Sequence, residues 1–374
     1  MSSVEFQVSA KTARLIGREN ISGVDGAVLE LVKNGYDADA ECVYIKYDMP
    51  FLKVPEELSW TEANEYFRNQ IIDLEKYYDI KDGKYVIKQN LEKNEIRELE
   101  QSILSLGSII VLDNGCGMTK DILETTWMNI GTSDKEVNIK SNEKKRIKTG
   151  AKGIGRFALD KLSLRSEVIT SNKNDSVYSW KINWTQFDES SLLKDVKAEI
   201  DEIGNDFRKI VECKLGDDFK KLTSYNWKTG TMIILSPVRE LWNTRLFNKV
   251  NRNLQNINPL GSIDKFDIIV DNIHRKELNF KSLSGGIVRD NYDYMIKASY
   301  DGKNHVSITL DRNEIDIETK TATVEIKDFL ENEKRKLELD TNEFWARDSF
   351  IEEKHRRKDF NGEQEYEYTL KELL

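Results

Sequence analysis

ELVKNGYDADA (30–40) carries the most informative pattern in the chain. It closes a run from Gly23 to Ala38 in which Ala27, Val28, Leu31 and Val32 form one apolar stripe at helical spacing, with Ser22 or Asp25 placed to cap it. On such a helix Glu30 and Asn34 are one turn apart and share a face, and Asp37 lies near it. A carboxylate one turn from a carboxamide can orient a water beside a metal-bound phosphate. The Asn carbonyl is a hard oxygen ligand suited to Mg2+. The Glu can accept the water's proton or align it. Taken alone, the same pattern is that of a solvated helix face with ordinary charges.

Three further segments carry chemistry. In LDNGCGM (112–118), Asp113 sits at a strand end and is followed by Gly115 and Gly117. The glycines permit close approach of backbone to ligand. The carboxylate can accept from an exocyclic amine such as that of adenine, and Met118 offers a polarizable wall for a flat ring. TGAKGIGRF (149–157) places Gly150, Gly153 and Gly155, with Lys152 and Arg156, ahead of the helical FALDKL. Exposed N–H groups before a helix form an anion site. The spacing is G-x-x-G-x-G, neither the G-x-G-x-x-G of dinucleotide folds nor a Walker A loop. The run Lys135 to Lys152 holds seven basic residues and two acidic ones, as a solvated loop or a lid over phosphates would. In KTGTMIIL (228–235), Thr229 and Thr231 flank Gly230 at a strand entry, where a hydroxyl could reach the same amine or a bridging water beside Asp113.

Working outward, residues 3–12 read as a strand, as do CVYIKY (42–47), SIIVLD (108–113), VYSWKINW (177–184) and TMIILSPV (231–238). Thr119 caps a helix over TKDILETTWMNI, FALDKLSLRSEVIT gives helix then strand, and 240–257 reads as a helix. From Met49 to about Leu106 the composition turns charged and helix-favouring, which predicts a helical insertion with a turn at Asp82–Gly83. FDIIVD (266–271), a hairpin across Asp301–Gly302 and TATVEI (321–326) predict a second sheet, and the charged C-terminal stretch predicts helix. The expected division is 1–262, with the insertion at about 49–106, and 263–374.

In chain order these are E-x-x-x-N-x-x-D-A, D-x-G-x-G-M, NIGTSDK (129–135), G-x-x-G-x-G and G-T. The ordered set resembles the GHKL, or Bergerat-fold, ATPase superfamily. That group includes the B subunit of DNA gyrase, heat-shock chaperones of the same fold, MutL and MORC proteins and sensor histidine kinases. The N-terminal phrase SAKTARLIGRENISGVDGAVLELVKNGYDADA also resembles a bacterial group of stand-alone GHKL proteins. The resemblance implies an α/β (α+β) fold, a mixed sheet with helices on one face, followed by a smaller transducer-like domain. It implies ATP and Mg2+ as ligands. Glu30 would activate the attacking water, Asn34 would bind Mg2+, and Asp113 would recognise adenine in a pocket shaped by Gly115, Gly117 and Met118. Gly150, Lys152, Gly153 and Gly155 would belong to the phosphate lid, with Asn129 and Lys135 as secondary candidates, and Thr231 would support adenine recognition. Asp37 would be a supporting structural residue.

A phosphorylated His normally precedes the ATP domain in histidine kinases, whereas His274, His305 and His355 all follow it here. The NxxDA ending and the Glu four residues before Asn are similar to the hydrolysing branches, in which a transducer lysine reaches the γ-phosphate. Lys320 is the candidate. The expected activity is slow ATP hydrolysis driving lid closure and homodimerisation as a switch with a protein effector or client, in a bacterial defence system for instance. The rivals are phosphotransfer to a partner's His, a non-hydrolysing ATP sensor, and a nucleic-acid clamp like MutL or MORC.

Composition narrows the field. The chain has 374 residues, about two to three domains' worth. Its 39% hydrophobic content with 7 Trp, 14 Tyr and 14 Phe excludes global disorder, and 20 Gly with 4 Pro exclude a collagen-like chain. The net charge of −9 opposes a globally basic nucleic-acid binder. Cys42, Cys116 and Cys213 form neither a metal-spaced pair nor a disulfide framework, which predicts a reducing, cytoplasmic setting. No stretch has the length and apolarity of a membrane span or a secretory signal.

Overall fold

The computed structural model describes residues 7–68, 73–129, 140–141, 143–146, 148, 155–173, 175–255, 257 and 266–282, and the backbone of five strands beyond Val288. Two compact units emerge, Met1–Ile287 and Val288–Leu374.

The first unit is built on an eight-stranded mixed sheet. Its strands are β1 (Cys42–Asp48), β5 (Ser108–Asp113), β6 (Arg165–Ser171), β7 (Val177–Asn183), β8 (Glu199–Gly204), β9 (Gly230–Leu235), β10 (Asp267–Asn272) and β11 (Phe280–Ser282). They lie in the order β11-β10-β1-β5-β9-β6-β7-β8, antiparallel except for the parallel pair β1–β10. Strand alternation sends Val43, Ile45 and Tyr47 to one side and Cys42 and Tyr44 to the other. The first side packs helices α1 (Ala10–Glu19) and α2 (Val24–Asp37), together with the helices Phe157–Leu162 and Thr244–Gln255. Val28, Leu31 and Val32 of α2 are no more than 2% exposed, and each such burial contributes about 1.5–3 kcal/mol relative to exposure. The helix therefore forms because its stripe is covered. Its N-cap, Gly23, makes no side-chain cap bond.

The structure corrects several expectations. Helices cover both faces, because Phe207–Leu215 and the 3-10 turns Gly216–Leu222 pack Phe207, Val211, Phe219 and Leu222 on the side of Tyr44. Residues 10–12, expected in a strand, open α1, whose buried Ala10 and Ala13 give it a helical seam, while Ser9 makes only an isolated bridge to Leu192. The strand at 266–271 belongs not to a second sheet but beside β1, with Cys42 opposite Asp267, so the main sheet runs past the expected boundary at 262. The segment between β1 and β5 is not simply helical. It folds as an antiparallel sheet of β2 (Glu57–Ser59), β4 (Lys84–Ile87) and β3 (Tyr78–Lys81), with the helix Lys93–Ser105, around Leu58, Phe67, Tyr78, Tyr85, Leu99 and Ile103. Asp82 and Gly83, both at positive φ (50° and 74°), turn the β3–β4 hairpin, as the Asp-Gly pair favours.

The second unit holds an antiparallel sheet of β12 (Tyr294–Tyr300), β13 (His305–Arg312) and β14 (Lys320–Glu325), matching the expected hairpin and third strand. The described part of the C-terminal stretch is not helical: β15 (Arg356–Lys358) pairs with β16 (Gln364–Tyr366). Among the described residues no helix is long and apolar enough to cross a membrane, and Cys42, Cys116 and Cys213 form no disulfide.

Candidate functional site

Helix α2 and the ends of β5 and β9 position the site. Glu30 and Asn34 stand half-buried on one face of α2. Gly155, just ahead of the helix Phe157–Leu162, lies against both: a Cβ there would sit 3.2 Å from Glu30 Oε1 and 3.4 Å from Asn34 Nδ2. Two sequence motifs more than a hundred residues apart thus meet at one point. The next turn of α2 brings Gly35 over the end of β5, where its Cβ position is 3.1 Å from Asp113 Cβ. One helix therefore spans the pair Glu30/Asn34 and the carboxyl Asp113.

Asp113 is 8% exposed and pairs in register with Thr231. Burial pushes its carboxyl up to about 7, while hydrogen bonds from the Gly115 and Thr231 amides pull the other way. The Gly115 amide donates to Oδ1 at 2.9 Å. Gly117 takes φ +64°, and a side chain there would run into the Ser171 carbonyl, so this turn needs glycine. Met118 is half-buried against the helix-side core, and its amide donates to Thr170 Oγ1 at 2.9 Å.

Thr170, which the motifs did not reveal, joins this cluster. It lies beside Thr231 in register, and its hydroxyl donates to the Gly230 carbonyl at 3.0 Å. A hydroxyl has a single proton, so while Thr170 donates to Gly230 the 3.1 Å contact between the two threonines takes Thr231 as its donor. Thr231 Oγ1 is left with acceptor capacity, next to a carboxylate that is also an acceptor. This pair suits an amine, not a carbonyl. The signal in the sequence was a threonine within the apolar strand SEVITS, uninformative until the strand register is known.

The loop between these strands is fastened on both sides. Asn114 Oδ1 accepts from the Glu41 and Cys42 amides at 2.9 and 2.8 Å. The Cys116 amide donates to Ala38 O at 2.8 Å, and Thr229 Oγ1 donates to Gly115 O at 2.8 Å. Behind Gly155, the fully buried Asp160 accepts from Arg14 (Nε at 2.7 Å, Nη2 at 2.9 Å) and Arg239 (Nη2 at 2.5 Å). This network ties α1 and the chain after β9 to the helix that follows Gly155. Arg156 donates to Thr126 O at 3.2 Å and lies 5.5 Å from the Trp127 ring, and burial pushes its guanidinium down to about 10, still charged at neutral pH.

Of the expected site residues, the structure brings together Glu30, Asn34 and Gly155, and, around Asp113, Gly115, Gly117, Met118 and Thr231. Asp37 is buried on α2, and Asn129 is exposed just after Trp127. Gly150, Lys152, Gly153 and Lys135 lie outside the described residues. Lys320 is the first residue of β14. Among the described residues no group of three His, Cys, Asp or Glu could hold a metal. The donor chemistry fits Mg2+ all the same, because that ion accepts one protein oxygen alongside phosphate oxygens and water. Asn34 would supply the protein oxygen; the amide atom it turns to Gly155 is Nδ2, and the absence of a side chain at Gly155 is what lets the backbone come this close.

No curated protein matches the chain. Residues 87–212, about a third of the sequence, match the family described as histidine kinase-, DNA gyrase B- and HSP90-like ATPases, a stretch that contains Asp113, Met118 and Gly155 but neither Glu30, Asn34 nor Thr231. Over that stretch the chain is similar to GHKL-type ATPase domains, which are ATP-binding domains.

Proposed function

We propose that the chain is a Mg2+-dependent ATPase in which Glu30 aligns and deprotonates the attacking water, Asn34 holds the metal and Asp113 with Thr231 reads the adenine amine. The observation that carries this reading is the meeting of Glu30, Asn34 and Gly155, one helical turn from Asp113. Gly115, Gly117 and Met118 line the base side, and Gly150, Lys152, Gly153 and Gly155 form the phosphate lid. Bound Mg2+ supplies charge neutralisation on the phosphates; the chain itself supplies orientation and a general base. Hydrolysis of this kind suits a conformational switch, in which ATP closes the lid and favours a homodimer that engages a protein effector or client. The second unit would act as the transducer, with Lys320 as its candidate lysine.

The test is phosphate release from ATP with Mg2+, comparing the native chain with Glu30→Ala. Retained binding with turnover lower by about 10²- to 10⁴-fold is the expected outcome for loss of a general base. Unchanged turnover in the variant removes Glu30 from the mechanism. Binding without turnover in the native chain turns the reading into that of a nucleotide sensor.

A further inference from the structure

Next to the base side of the site, the end of α2 is gripped from two directions by a single short segment. Asp39 follows α2 at φ +64°, a left-handed conformation costly for residues other than glycine. Its carboxylate accepts from the amides of Glu143 at 2.9 Å and Lys144 at 3.3 Å. From the same segment Arg146, 3% exposed, reaches back. Its Nη1 donates to Ala40 O at 2.8 Å and Tyr36 O at 3.2 Å, and its guanidinium sits 4.5 Å from the Tyr36 ring and 5.4 Å from that of Phe266. Ser141 and Arg146 close the segment on itself: the Ser141 amide donates to Arg146 O and the Arg146 amide to Ser141 Oγ, both at 2.8 Å.

What this grip holds is Ala38. The Ala38 carbonyl accepts from the Cys116 amide at 2.8 Å, and Gly115 approaches so closely that a Cβ on it would lie 2.6 Å from that carbonyl oxygen. Gly115 in turn donates to Asp113. A continuous chain of short contacts therefore runs from Arg146 through Tyr36–Ala40 and Gly115 to the carboxylate. Resting on the reading of Asp113 as the base-recognising group, we propose that Arg146, with Asp39, is a positioning residue that sets nucleotide selection by holding Asp113 in register. It touches neither the phosphates nor Glu30 on this account, so its loss acts on the base and not on the chemical step.

The experiment compares the dissociation constants of ATP and of purine riboside 5′-triphosphate, which lacks only the exocyclic amine. Both are measured with Mg2+ on the native chain, Arg146→Ala and Asp39→Gly. Glycine takes the left-handed conformation without strain and removes only the two accepted hydrogen bonds, so this variant folds where loss of the buried guanidinium could unfold the chain. The native chain prefers ATP. In Arg146→Ala, ATP weakens by about ten-fold and the purine analogue by less than about two-fold, so that the preference collapses. Asp39→Gly shifts the ratio in the same direction, and turnover per bound nucleotide is unchanged in both. A purely structural fastening would weaken both nucleotides equally or lower only the melting temperature, and either result with preference intact in both variants overturns the proposal. A native chain that does not distinguish the two nucleotides overturns the reading of Asp113 and this proposal with it.

Discussion

Gly155 lies against Glu30 so closely that one methyl group on its α-carbon would stand 3.2 Å from the carboxylate oxygen. Gly155→Ala must push the Glu30 head group by a few tenths of an ångström, since the neighbour is the end of a flexible side chain. The expected result is near-normal ATP affinity with phosphate release slower by about ten-fold, the effect of a misaligned base. Single-turnover phosphate release with saturating nucleotide measures it.

Asp113 makes the chain's behaviour depend on pH in two opposite ways. Its folded-state pKa near 7 lies above the ordinary 3.8, so its contribution to stability is fully present below about 4 and is lost as pH rises to about 7. Asp113→Asn removes that dependence: urea midpoints at pH 5 and pH 8 should draw together in the variant relative to the native chain. Affinity runs the other way, because the ionised acceptor prevails only above about 7, and ATP binding weakens as pH falls through that value. At pH 8 the Asn variant, which sets an NH2 group towards the base amine, should bind ATP about a hundred-fold more weakly by calorimetry.

Asn34→Ala leaves the helix intact, since alanine is the better helix former and position 34 is only half-buried. It removes the one oxygen assigned to the metal. The Mg2+ concentration for half-maximal phosphate release should rise by about ten-fold or more, while nucleotide binding without Mg2+ stays the same. A titration of activity against Mg2+ at fixed ATP decides it.

Asp160 is fully buried among Arg14 and Arg239, with Arg18 3.8 Å away. Asp160→Asn takes from Arg239 its carboxylate partner and leaves Arg14 with Asp188 alone, and should cost about 3 kcal/mol in denaturant unfolding. The exposed pair Lys53–Glu56 serves as the control, since Glu56→Gln should leave the unfolding midpoint where it is.

Legibility followed range. Helix α2 and strand β5 could be read directly, because an apolar stripe and a short apolar run are local patterns, and with them came Glu30, Asn34 and Asp113. Gly155 was found through its motif, yet its contact with Glu30 is a matter of packing that no periodicity contains. The segment after β1 was misread because Glu- and Lys-rich sequence favours helix, while its strands are only three or four residues long and half-buried. The Asp82–Gly83 pair was the correct signal there, taken as a plain turn when it marked a hairpin. β10 looked like any apolar strand, and its place beside β1 depends on a parallel pairing that alternation does not encode. Thr170 and Arg146 owe their roles to partners far away in sequence, so their residue types alone said nothing.

Strands β1 and β5 are antiparallel neighbours, and Asp48, at the end of one, faces Ser108, at the start of the other. The whole stretch from Met49 to Gly107 leaves and re-enters the sheet at a single rung, and it keeps an apolar interior of its own. Topologically it stands where a tight turn would suffice. A two-residue link in its place would keep the two strands paired on the same rung, at the cost of the cover that Leu52 and Leu104 give the main core and of the Arg275 hydrogen bonds to the Met49 and Pro50 carbonyls.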